Sequence, residues 1–287
     1  MTIPTPTEIM QRLQFDEIIV QIKDLPSLPA IVMELLNSID QENVDIGVLA
    51  KKVSQDQALT AKTLRFANSS FYGTPSKVTT IQQAITLLGV ANVRDLITAA
   101  AISGIFPENQ CPGFNFRAFW KHSIGAAICA KLLARYVHVN SDYAFTAGLL
   151  HDIGRLVLVT RFPENYAAVI AYRKANDCYM LEAERAVLGI DHMVAGHALA
   201  MHWHFSDVMQ HAIVGHHEPE KSAPNALVAL VHVANSIVHA LDLAGVEDDL
   251  VPPLSLIAWN TLDLKEDIYQ QVFNETVQQV EKLNQVL

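Results

Sequence analysis

The sequence predicts an all-α protein, on three observations: apolar residues recur at helical spacing, cap and stop residues bracket those stretches, and the only stretch suited to a strand, residues 156–160, is short and isolated. A lone strand leaves its backbone groups unpaired, so that stretch is assigned to a helix. In chain order, Pro29 suits a first helical turn, with Ile31, Val32, Leu35, Leu36 and Ile39 behind it. Asp45 is placed to cap a helix whose Ile46, Leu49, Ala50 and Val53 fall at i, i+3, i+4 and i+7. Thr80 and Gln83 form a capping box, Ile81, Ala84, Ile85 and Leu88 make one face, and Gly89 closes the helix.

The turn-rich stretch GIFPENQCPGFN, residues 104–115, holds two prolines and two glycines and is the expected boundary. It divides an N-terminal helical lobe, residues 1–110, from a second helical lobe, residues 111–287. The second lobe is expected to hold a long helix after Phe116, one ending near His151, a nearly all-apolar helix over 227–241 running through a core, and an amphipathic helix after Asp267.

With 51% hydrophobic residues in 287, the chain can bury a substantial core, which excludes a disordered protein. A net charge of -10 provides no basic surface for phosphate backbones or anionic membranes, so direct nucleic-acid binding is not expected. Cys111, Cys129 and Cys178 are odd in number and lack metal-type spacing, as in a reducing compartment, and a cytoplasmic location is expected. The N-terminus lacks a basic segment followed by an apolar one, and the longest near-apolar run, 96–106, is too short for a bilayer. Neither export nor membrane anchoring is expected.

Twelve histidines is a high count for this length. The isolated ones, His138, His202, His204, His211, His232 and His239, are read as surface or hydrogen-bonded core residues. A constellation stands apart from them: His122 on a helix, the pair His151-Asp152, His192 four residues before Gly196, and the doublet His216-His217 before Glu218. Imidazoles and carboxylates suit Fe, Mn, Zn or Ni, and several of each can hold one or two divalent ions. A histidine-aspartate dipeptide alone is weak evidence, because adjacent side chains on a helix point about 100° apart. Trp120 and Trp203, beside these residues, are assigned to the core. The acidic stretch GVEDDLVPP, 245–253, is read as a solvated loop. Arg155 either meets a phosphate or compensates a helix C-terminal dipole.

LLHDIGR at 149–155, with WKHS at 120–123 and HHEP at 216–219, resembles the HD superfamily of metal-dependent phosphohydrolases. QDQALTAKTLRFANSSFYG at 55–73, TIQQAITLLG at 80–89 and DHMVAGHALAMHWHF at 191–205 resemble its HDOD branch, over about 25–239 in all. The resemblance implies an N-terminal helical bundle packed against an HD-like helical core, and a signalling or regulatory output module that often performs no hydrolysis. By similarity to the HD-GYP phosphodiesterases, His122, His151, Asp152, His192, His216 and His217 match metal-ligand positions, with Asp152 as the bridging ligand on which catalysis would depend. Asn235, in VHVANSI, takes the place of a closing aspartate, and a neutral amide is a poorer ligand than a carboxylate. Ala118 stands one turn before His122 where some HD-GYP members carry glutamate, and no GYP tripeptide follows the doublet, so a trinuclear site is not expected. Two functions follow. The first is a stand-alone HDOD signalling protein, with no room for a fused receiver, kinase or cyclase domain, acting through signalling partners with little or no catalysis. The second is a metal-dependent phosphohydrolase acting on a nucleotide or cyclic dinucleotide.

Overall fold

Helix is the dominant regular structure in a computed structural model that describes residues 12–37, 46–68, 77–106, 111–221, 224–246 and 249–283, and no strand occurs among them. The first part of the chain forms α1 (Phe15–Lys23), α2 (Ala30–Asn37), α3 (Ile46–Ser54), α4 (Gln57–Ala67), α5 (Ile81–Leu88) and α6 (Val90–Ile105). After it come α7 (Phe116–Leu133), α8 (Ser141–Leu150), α9 (Ile153–Arg161), α10 (Pro163–Asn176), α11 (Met180–Leu188) and α12 (His192–His202). The last four are α13 (Asp207–Gly215), α14 (Ala226–Ala240), α15 (Leu256–Leu262) and α16 (Glu266–Leu283). The all-helical expectation holds, and residues 156–160 lie within α9 as predicted. Asp45, Ile39 and the 107–110 part of the expected boundary lie outside the described residues.

Local chemistry sets the helix ends. Thr80 accepts from the Gln83 amide at 3.1 Å, whereas the Gln83 side chain takes the Thr79 amide at 2.9 Å, so the box closes one residue earlier than the sequence suggests. Gly89 ends α5 at φ +84°, a conformation that side chains with a Cβ rarely adopt. Asn115, Asn140, Asp191 and Asn225 cap α7, α8, α12 and α14 with their side-chain oxygens.

The core centres on α7, which packs against α8, α14 and α16, while α9 packs against α12. Residues 227–238 of α14 are buried without a break, as an apolar helix crossing a core requires. Trp120 and Trp203 are both buried. Towards the N-terminal helices, Arg94 of α6 donates to Asp142 of α8 at 2.9 Å, and Lys131 of α7 pairs with Asp95 of α6. No helix of the described residues is long and apolar enough to cross a membrane.

Two glycine contacts fix the spacing of the helices that carry the histidines. A Cβ on Gly154 would lie 1.9 Å from the His192 carbonyl oxygen and 2.5 Å from the Gly196 nitrogen, so α9 and α12 meet backbone to backbone. A Cβ on Gly148 would lie 2.8 Å from Ala127 Cα, so α8 and α7 also meet closely, though less tightly than α9 and α12. Gly154→Ala must push α9 off α12, and since overpacking a tight core costs about 1–3 kcal/mol or more, a loss of at least about 3 kcal/mol is expected in denaturant unfolding. A change within about 0.5 kcal/mol, the range of a neutral surface substitution, would show that the two backbones are not in contact.

Candidate metal centre

His151 is the C-cap of α8 and Asp152 the N-cap of α9, so the chain breaks direction between them and the adjacent side chains converge. His151 Nε2 lies 3.7 Å from Asp152 Oδ1. Helix ends leave carbonyls without intrahelical donors, and two histidines use them. His151 Nδ1 donates to the Gly148 carbonyl at 2.7 Å, and His216, the C-cap of α13, donates from Nδ1 to the Ile213 carbonyl at 2.8 Å. His192, the first residue of α12, donates its backbone N–H and its Nδ1–H to Glu184 Oε2, at 2.9 and 2.6 Å. Each bond commits the ring hydrogen to Nδ1 and leaves Nε2 to face inward.

The three Nε2 atoms meet at one oxygen. Asp152 Oδ1 lies 3.3 Å from His192 Nε2 and 3.5 Å from His216 Nε2, in addition to the His151 contact, and no hydrogen bond reaches it. The other carboxylate oxygen is held by Arg155 Nη1 at 3.0 Å. Arg155 Nε donates to Tyr166 Oη at 3.2 Å, and Tyr166 donates to Glu184 Oε1 at 2.8 Å, which closes a buried circuit from Asp152 round to His192. His151, Asp152, His192, His216 and Glu184 are all buried.

The electrostatics follow from that packing. Burial holds His122 and His217 well below the usual imidazole range and takes His151 down to about 4. Burial opposes the charge on Asp152, yet His151, His192 and Arg155 together hold its carboxyl well below the usual carboxylate range. Burial also disfavours a charged His192, but Glu184 and Asp152 outweigh it and lift the ring to about 9. Glu184 and Asp152 thus favour a positively charged His192 between them, and a divalent ion would displace the added proton.

All six histidine and aspartate candidates from the sequence gather here. Ligand atoms of Asp152, His192, His216 and His217 form one group and those of His122, His151 and Asp152 a second, each within 4.8 Å, and Asp152 belongs to both. His122 Nε2 lies 3.2 Å from His151 Nε2. Asn235 is buried on α14, and its Oδ1 has no hydrogen-bond partner. Arg155 lies in the first turn of α9, which overturns the helix C-terminal dipole reading. Its guanidinium sits 5.9 Å from the ring centroids of both Phe114 and Phe119.

Other residues of the site were not foreseen. Glu184 and Tyr166 orient His192 and Arg155, and no spacing in the sequence marks them. His239, read as ordinary, lies with its ring centroid 4.5 Å from that of His122, tilted by 46°, and donates from Nδ1 to Asp249 Oδ2 at 2.7 Å. The described part of the 245–253 stretch is the largely exposed loop expected, and it also supplies Asp249, Leu250 and Pro252 to the wall of a cavity of about 710 Å³. That cavity is lined by His122, Asp152, His192, His217 and His239 and also by Phe114 and Phe119. His232 is the hydrogen-bonded core residue expected, donating to the His216 carbonyl at 2.7 Å and accepting from the Ser255 amide at 2.8 Å.

The sequence profile of the HDOD domain matches residues 25–219. The chain belongs to the HDOD domain family. An HDOD domain protein of unknown function from Geobacter sulfurreducens superposes with a TM-score of 0.80 at 24% identity, covering 96% of this chain and 99% of its own. A candidate phosphohydrolase from Shewanella amazonensis SB2B gives 0.72 at 28% identity, covering 94% and 97%. A candidate signal transduction protein from Marinobacter aquaeolei VT8 gives 0.77 at 24% identity, covering 97% of this chain and 61% of its own. This HDOD chain spans less than half the length of the curated relatives it matches, 44% of one and 17% of another.

Loss of an outer-shell partner typically costs about 10–100-fold in metal affinity. Glu184→Gln keeps the side-chain volume but not the charge, and a loss of that size is expected when Mn²⁺ is titrated calorimetrically into this variant. Equal affinity in the folded variant would remove Glu184 from the centre.

Proposed function

We propose that this HDOD protein is a signal-transduction module built around a divalent transition-metal centre whose cavity admits a phosphoester ligand. The carrying observation is Asp152 Oδ1, a buried anionic oxygen ringed by three imidazole Nε2 atoms with no donor bonded to it. A set of acceptors so placed repels itself unless a cation or proton lies among them. In this reading His192, His216 and His217 hold one ion and His122 and His151 a second, with Asp152 shared and Asn235 a weak further donor. Nitrogen and carboxylate ligands suit Fe, Mn, Zn or Ni.

Arg155 orients Asp152 through Nη1 and lines the cavity, where its charge favours an incoming phosphate. Phe114 and Phe119 offer apolar walls for the rest of the ligand, such as a nucleotide base. A bound ion would supply Lewis-acid polarisation of a phosphoryl oxygen and a nucleophile at neutral pH. Hydrolysis is the second reading, favoured by the access of the cavity to the histidine cluster and by the likeness to the Shewanella protein. The amide at position 235 weighs against it, because it weakens the hold on one of two ions. The likeness to the Marinobacter protein, and the eroded ligand, favour signalling through protein partners.

Elemental analysis of protein purified and then loaded with Mn²⁺ or Fe²⁺ tests the centre, with one to two equivalents of transition metal expected. His151→Ala and Asp152→Ala should each abolish binding, whereas His138→Ala, at the surface, should not. A wild-type protein that takes up no metal under any loading condition sinks this proposal. Turnover of bis(p-nitrophenyl) phosphate by loaded protein would move it from regulator to enzyme, and bound metal without turnover would leave the regulatory reading in place.

A further inference from the structure

The two halves of the histidine cluster are not equally equipped. His151, His192 and His216 each have Nδ1 committed to an acceptor outside the cluster, but His122 does not: its Nδ1 is buried without a hydrogen-bond partner. Because His151 Nδ1 already carries the ring hydrogen, the 3.2 Å contact between His151 and His122 makes His122 Nε2 the donor when no ion is present. That leaves a bare lone pair on a residue only 4% exposed. Asn235 Oδ1, on α14, is also buried and unpartnered, and a neutral amide at this position offers no carboxylate to hold a second ion firmly.

His239 supplies what is missing. It follows Asn235 by one turn of α14, so both side chains stand on one face of that helix. Its ring lies 4.5 Å from that of His122, centroid to centroid, and it lines the same cavity. Its Nδ1 donates to Asp249 Oδ2 at 2.7 Å, the arrangement that Glu184 gives His192, and it leaves the lone pair on Nε2. We propose that His239, oriented by Asp249, is a ligand of the second divalent ion and stands in for the carboxylate that Asn235 does not provide. This rests on the metal-centre reading above and adds to it a donor, a positioning residue and a reason for the amide to be tolerated.

Metal stoichiometry tests it without recourse to activity. In a calorimetric titration with Mn²⁺, backed by elemental analysis, the wild type is expected to bind two equivalents, the second more weakly. His239→Ala should weaken the second step at least about 10-fold while sparing the first, and Asp249→Asn should weaken the same step within the range of about 10–100-fold for outer-shell partners. Adding Asn235→Asp to His239→Ala should restore the second equivalent. Asp249 sits near the rim, so its variant remains informative should His239→Ala fail to fold. A second step unchanged in both single variants, or a wild type that never exceeds one equivalent, overturns the role of His239 and leaves the centre intact. A wild type that binds no metal overturns the centre itself.

Discussion

An anionic oxygen of Asp152 points at three imidazole nitrogens, and the surrounding protein is arranged to keep it doing so. Arg155 occupies the other oxygen, Tyr166 and Glu184 carry that contact round to His192, and the carbonyls at the ends of α8 and α13 hold His151 and His216 in one tautomer. Removing an ionised carboxylate from water costs several kcal/mol unless a partner compensates. The proton on His192 gives partial compensation. A divalent cation gives more, and the acceptors already face where it would sit.

The same helices connect this centre to the N-terminal part of the molecule. α7 carries His122 and, further along, Lys131, which pairs with Asp95; α8 begins near Asp142, which holds Arg94, and ends at His151. Candidate ligands at one end of each helix and partly buried ion pairs at the other place both on a single element. Under the signalling reading proposed above, these contacts would be the route by which a change at the site reaches α6 without an intervening loop.

Much of the fold was legible because its causes are local. Caps and helical spacing placed α5, a nearly unbroken apolar run placed α14, and the lack of a partner strand identified α9 as helix. The clustered histidines and Asp152 were picked out through family resemblance more than through spacing, because the break between α8 and α9 that makes His151 and Asp152 converge leaves no mark in the dipeptide itself. Glu184 and Tyr166 were hidden for another reason: their partners are neighbours only after α9, α10, α11 and α12 have packed. His239 looked like one more histidine on an apolar helix. Its partner Asp249 comes from a largely exposed acidic stretch, and composition averages over a segment without revealing which single acid pairs with a histidine.

The contact of Gly154 with Gly196 separates architecture from chemistry. Neither residue offers an atom to an ion, yet any side chain at Gly154 would wedge two main chains apart. A relative that had surrendered every imidazole would still need that pair to keep its helices seated. Retention of the glycines in a divergent sequence is thus a sign of shared scaffolding, and reveals nothing about whether the pocket it supports can still grip a cation.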